Sequence, residues 1–124
     1  MIKQIIAIRR DLRMRRGKEI AQGAHAAMAF LTNNINEEGQ FIRPLTSIEL
    51  AWITGKFTKI VVQVADYAEL MRVHALAEHW CVNSQLIVDS GATEFGGVPT
   101  ATAVAIGPDD SFVLDPLFGD LKLY

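Results

Sequence analysis

Three short runs of apolar and β-branched residues, Ile2–Ile8, Phe57–Val64 and Val82–Val88, are separated from one another by stretches of helical character. A fourth run, Thr102–Ile106, follows the third with no helix between them. This order constrains the fold more than any other feature. Strands joined through helices pair in parallel by crossover, whereas strands joined by a loop alone pair antiparallel. The order predicts an α/β protein, a small mixed sheet with helices on both faces. A chain of 124 residues, half of them hydrophobic, can bury one such core, so residues 1–124 read as one domain.

The intervening segments carry their own signals. Gly17–Leu31 is alanine-rich and free of proline, with Ile20, Ala24, Ala27, Met28 and Leu31 at helical spacing. Residues 32–47 are polar, contain Gly39 and Pro44, and read as a loop. Ser47 precedes a short helical piece that ends by Gly55. Asp66 is a good N-cap with Glu69 in capping-box position, and the helix it opens runs to Trp80. Its inward face is predicted to carry Leu70, Val73, Leu76, Ala77 and Trp80. Gly107-Pro108 is expected to stop the fourth strand, leaving a turn or short helix near Asp109–Leu117 and a closing LKLY.

Charge is distributed very unevenly. Residues 1–18 hold seven lysines and arginines against Asp11, while the other 106 residues hold five against thirteen acidic ones. Such a basic cluster attracts polyanions, of which phosphate backbones are the commonest. Arg13, Arg15 and Arg16 are therefore candidates for gripping RNA phosphates. No apolar run approaches the roughly 18–20 residues of a membrane span. Arginines, not a small-residue cleavage site, follow the first apolar run. Cys81 is the only cysteine, which leaves no disulfide framework and no cysteine metal site. These features predict a cytoplasmic protein without membrane contact and without a metal or other cofactor.

Two clusters can carry chemistry. Lys18, Gln22 and His25 fall within roughly 60° of one another on a helix surface. They form a polar stripe among small residues, and His25 supplies a group of the kind that titrates near neutrality. Asp89-Ser90-Gly91-Ala92-Thr93 directly follows an apolar strand, and ligands bind beyond strand carboxyl ends in α/β sheets. His74 and His79 read as structural or surface residues.

Taken in order, the first strand, DLRMRRGK, AQGAHAA, Trp52 with Gly55, KIVVQV, DSGATE, TAVAIGP and GDLKLY resemble the peptidyl-tRNA hydrolase type 2 family. The resemblance is collinear over nearly the whole chain, and residues 32–47 lie outside it. It implies a three-layer α/β/α sandwich around a four-stranded mixed sheet. It also implies hydrolysis of the ester joining a peptide to the 3′-terminal ribose of tRNA, with tRNA as partner. The family's catalytic residues correspond here to Lys18, His25, Asp89, Thr93 and Thr102, of which only Thr102 is not singled out by the residues themselves. Gln22 matches the same motif and joins Arg13, Arg15 and Arg16 as a candidate tRNA contact.

The chain departs from the family pattern at Ala92, where arginine is usual, and in a loop one residue longer with Val98-Pro99. A homodimer of the family's kind is compatible with the chain. Water is expected to attack the ester directly, with Asp89 or His25 as base and with Lys18, or the hydroxyl and amide groups around Thr93 and Thr102, stabilising the developing charge. The competing reading is a non-catalytic RNA-binding module on the same fold.

Overall fold

The computed structural model describes residues 1–124. The elements run β1 (Ile2–Arg9), α1 (Arg16–Thr32), α2 (Ser47–Thr54), β2 (Lys59–Val64), α3 (Tyr67–His79), β3 (Ser84–Asp89), β4 (Thr100–Asp110) and α4 (Ser111–Phe118). The strands form one sheet in the order β2-β1-β4-β3. β1 and β2 pair in parallel, and β4 runs antiparallel to both β1 and β3. The carboxyl ends of β1, β2 and β3 therefore lie at the same edge of the sheet.

Alternation along β1 divides the core in two. Ile5 and Ala7 face α3 and α4, packing with Leu70, Val73, Leu114 and Phe118. Ile6 and Ile8 face the other way and join Met14, Ala26, Ala103 and Ala105 beneath α1. Strands sample both faces at period two, so one strand supplies both layers. The small side chains Ala26, Ala103 and Ala105 let α1 lie close on the sheet.

Local chemistry accounts for the element ends. Asp66 caps α3 by accepting from the Glu69 amide at 2.9 Å, while the Glu69 carboxylate accepts from the Ala65 amide at 2.9 Å. Thr46 and Glu49 form a full capping box at the start of α2, and Arg43 pairs with the buried Glu49 at 2.8 Å. His74 contacts the Ser84 hydroxyl through Nδ1 and Glu78 through Nε2, which makes it structural.

The structure corrects several sequence expectations. β4 runs through Gly107-Pro108 to Asp110, because the register with β1 shifts there and the irregularity absorbs a proline that has no amide to donate. Phe57 stays outside β2 in a left-handed conformation (φ 59°), and Trp52 Nε1 donates to the Thr58 carbonyl before the strand begins. Val82 is buried but precedes β3, since Cys81 also turns through positive φ (56°). Trp80 is 59% exposed, because the chain leaves the helix at that residue and its ring stacks edge-on against His79. The last residues return to the sheet: Leu123 bridges Val62, covering the outer edge of β2. The outer edge of β3 has no such cover.

Candidate active site

The basic run opens the site through its apolar members. Leu12 and Met14 alternate with the arginines and pack under α1, with Met14 buried. Arg13 and Arg15 are thereby turned outward, Arg13 at a left-handed position (φ 49°). Arg9 is spent internally on Asp11 and the Ala101 carbonyl, and Arg10 reaches Gln63. Arg13 and Arg15 stand exposed, and Arg15 reaches the loop after β3, pairing with Glu94 at 3.4 Å. Arg16, in the first turn of α1, borders a groove on the opposite flank of that helix.

Asp89 ends β3, and its carboxylate is the hub. Oδ1 accepts from Lys18 Nζ at 2.8 Å and from Gln22 Nε2 at 3.3 Å, and Oδ2 accepts from the Gly91 amide at 2.9 Å. Lys18 Nζ also donates to Thr93 Oγ1 at 2.8 Å. Lys18 and Asp89 are each 13% exposed, so their pairing is partly withdrawn from water. The Lys18 ammonium and the Gly91 amide hold the Asp89 carboxyl below the usual carboxylate range. Asp89 is thus fixed as an anion across the neutral range.

Behind this hub lies a buried relay. Gln22 is 1% exposed and accepts from the hydroxyl of Thr102, which is fully buried. Thr102 gains this direction from a bulge. The pairing of β3 with β4 passes from Ile87↔Ala103 to Val88↔Ala101, leaving Thr102 as the extra residue. A bulge re-aims a side chain against the strand's alternation, here toward α1. No pattern in the sequence announces that turn, so Thr102 is reached there only through resemblance. The burial of Gln22 also corrects its assignment as a tRNA contact: an amide used on both sides inside the protein cannot reach a solvated phosphate.

The loop after Asp89 folds back on itself. The Gly97 amide donates to the Gly91 carbonyl at 2.9 Å, and Gly91 has φ 83°. A Cβ at Gly91 would stand 2.2 Å from the Val98 carbonyl oxygen, so only glycine fits. Phe95 packs into the cluster under α1, with Lys18 Nζ 5.7 Å from its ring centre. That residue escaped the sequence reading, since a phenylalanine among glycines carries no functional signature. Ala92 is exposed, as are Val98 and Pro99.

Five of the predicted residues, Lys18, Gln22, Asp89, Thr93 and Thr102, form one hydrogen-bonded network. His25 is exposed on the same flank of α1, two positions along the predicted stripe from Lys18, and borders a cleft between α1 and β3. An ammonium, a hydroxyl and a carboxylate set together at the surface can orient a water and stabilise negative charge developing on a carbonyl oxygen.

Known proteins share both the sequence and the fold. The family model described as peptidyl-tRNA hydrolase PTH2 matches residues 2–124. A peptidyl-tRNA hydrolase of Methanopyrus kandleri is 36% identical, covering 99% of this chain and 98% of its own. That of Methanothermobacter thermautotrophicus is 32% identical, covering 98% and 99%, and that of Saccharolobus islandicus is 32% identical over 99% of both chains. Among solved structures, an Agrobacterium tumefaciens protein of unknown function shares the fold with a TM-score of 0.58 at 11% identity, covering 98% of this chain and 96% of its own. The chain belongs to the peptidyl-tRNA hydrolase PTH2 family.

Proposed function

We propose that this protein hydrolyses the ester linking a peptide, or an N-blocked amino acid, to the 3′-terminal ribose of tRNA, releasing free tRNA. The observation that carries this reading is the Lys18–Asp89–Thr93 cluster at a strand carboxyl end, beside outward-facing arginines. Family membership supplies the substrate class.

Asp89, held as an anion, aims the Lys18 Nζ through their 2.8 Å contact. Lys18 and the Thr93 hydroxyl stabilise the oxyanion as water adds to the ester carbonyl, and the 3′ oxygen of the ribose leaves with a proton. Thr102 and Gln22 act behind Asp89 and fix its orientation. Asp89 is a weak base because its carboxyl is pulled below its usual range, and a general base works best near the operating pH. His25, exposed one turn beyond Gln22 and without a hydrogen-bond partner, is the other group that can take the proton from water. Arg13, Arg15 and Arg16 hold the tRNA backbone without taking part in the chemistry.

Two further parts of the reading concern the protein's setting. No helix is long and apolar enough to cross a membrane, and a cytoplasmic location is proposed because the proposed substrate belongs to translation. A homodimer is proposed through the flank of α1 that faces β2. Ile20, Ala24 and Met28 of that helix are exposed there and border an apolar groove of about 770 Å³, floored by Ile6, Ile8 and Val61. Glu19 and Lys59 are charged residues on its border, and a twofold axis through the groove would bring the same apolar surface of two copies together.

The test is release of the acyl group from N-acetyl-aminoacyl-tRNA by the purified protein. Asp89→Ala and Lys18→Ala should each lower turnover about 10²–10⁴-fold with the fold retained. Tight tRNA binding without turnover would return the non-catalytic reading. Equilibrium sedimentation reports the dimer.

A further inference from the structure

The scissile ester divides the substrate into a tRNA half and a peptide half, and the arginines account only for the first. Helix α1 runs antiparallel to β3, and the seam between them is closed at both ends by side-chain contacts. At one end Lys18 meets Asp89 at 2.8 Å. At the other, Asn33 Nδ2 donates to Gln85 Oε1 at 2.8 Å. Between them the seam opens into a cleft of about 330 Å³, bordered by His25, Met28 and Thr32 on one side and Leu86, Ile87 and Val88 on the other. We propose that this cleft is the subsite for the C-terminal residues of the peptidyl group, held extended along the outer edge of β3.

Position is the first argument, and it rests on the hydrolase reading. Order along α1 follows the order of the substrate: Arg15 just before its start, Lys18 at the ester, then His25, Met28 and Thr32. Val88, which borders the cleft, immediately precedes Asp89 in the chain. An acyl group whose carbonyl carbon sits at Lys18 and Asp89 has the cleft directly ahead of it.

Chemistry is the second argument. The cleft is bordered by no lysine or arginine, so it lacks the fixed cations that hold a phosphate backbone. Its apolar residues suit amino-acid side chains, and the thioether of Met28 adapts to different shapes, as an enzyme acting on many peptide sequences requires. Its volume is at the lower end of the roughly 300–1,000 Å³ typical of ligand sites, fit for a short segment and not for a folded domain.

Backbone geometry is the third. Successive strand residues point to opposite faces, so three consecutive residues border one cleft only where it reaches the strand's edge. β3 is the outermost strand, and Val88 is 55% exposed. An extended peptide can therefore pair with the free edge of β3 through main-chain groups, which bind without reading side-chain identity. From His25 to Asn33 the helix advances about 12 Å at 1.5 Å per residue. At about 3.3 Å per extended residue, that length takes about three to four residues of peptide.

The experiment charges one tRNA with N-acetylated peptides of one, two, three and five residues and measures kcat/KM for each. The expected result is a rise of about tenfold from one residue to three, then a plateau. Thr32→Trp and Asn33→Trp, at exposed positions around the far end of the cleft, should each abolish most of the rise, seen as the ratio of three-residue to one-residue substrates. The ratio cancels any general loss in a damaged variant, and the wild-type length series stands even if neither variant folds. A flat series in the wild type, or a rise that survives in both folded variants, overturns the subsite. Failure to cleave even the one-residue substrate overturns the hydrolase reading itself.

Discussion

Gln22→Glu places a second carboxylate against Asp89 while changing almost nothing in shape. The wild-type amide donates to Asp89 Oδ1 at 3.3 Å and accepts from Thr102. In the variant, the introduced carboxylate would still accept from Thr102 but would face Asp89 with a like charge. At that separation and an effective dielectric of ~20, the repulsion is about 5 kcal/mol, between three and four pKa units. Lys18, 2.8 Å from the same oxygen, offsets part of it. The two carboxyls should then titrate as a pair, with the second proton held well above the usual carboxylate range by their mutual repulsion. Until that proton is released it stays between them, and the introduced carboxyl, when protonated, can donate to Asp89 as the amide did. The variant should turn over within about threefold of wild type near pH 5.5 and lose more than about 30-fold by pH 8. Stability follows the same sign. A group whose pKa is raised in the folded state binds protons that the unfolded chain has released, so stability falls as pH rises from about 4.3 through the folded value. Once both carboxyls are ionised the loss is the part of that repulsion which Lys18 does not offset, enough to lower Tm by roughly 10 °C. Gln22→Met, which cannot titrate, should lower turnover by a similar factor at every pH. The assays are a pH–rate profile on N-acetyl-aminoacyl-tRNA and thermal unfolding from pH 5 to 8. If the Gln22→Glu variant runs parallel to wild type in both, Gln22 does not face Asp89 as described.

Replacing Gly91 by alanine forces a Cβ to within 2.2 Å of a backbone oxygen at a positive φ, so the loop after Asp89 must open; kcat should fall at least about tenfold while Tm, set by the core elsewhere, drops by only a few degrees. Arg13→Ala with Arg15→Ala should flatten the log–log dependence of tRNA affinity on salt by about one to two units, with turnover at saturating tRNA little changed; coincident slopes for variant and wild type would remove these arginines from the tRNA footprint. Asp89 has its carboxyl lowered in the folded state, so it contributes stability above its unfolded pKa that is lost as pH falls through the lower folded value. Asp89→Asn should therefore weaken the decline of Tm between about pH 4 and pH 2, and an unchanged acid decline would show that the Lys18 pairing is not what lowers it.

What the sequence made legible was the part governed by local rules. Element order predicted a mixed sheet with antiparallel final strands, and β3 pairs antiparallel with β4. Asp66 and Glu69 predicted the start of α3, where caps are formed by neighbouring residues. The spacing of Lys18, Gln22 and His25 placed them on one stripe of α1. It could not say that the stripe's middle residue is buried against β4 while the outer two reach solvent, because that depends on how α1 is rolled on the sheet. The row Ile20, Ala24, Met28 has the spacing of a core face yet is exposed, and the helix buries Gln22, Ala26, Ala29 and Phe30 instead. Trp80 misled in the same direction: apolar character shows what a residue would gain by burial, not whether the chain has already turned away. Thr102 is the sharpest case. By alternation it belongs to the α3 side with Val104 and Ile106, and only the bulge at β4 sends its hydroxyl to Gln22. The irregularity lies next to the network that aims Asp89, where regular alternation would have sent the side chain at position 102 to the α3 face. Local rules fail there because the site requires a local exception, and a departure from strand periodicity beside a buried polar chain is itself a structural mark of function.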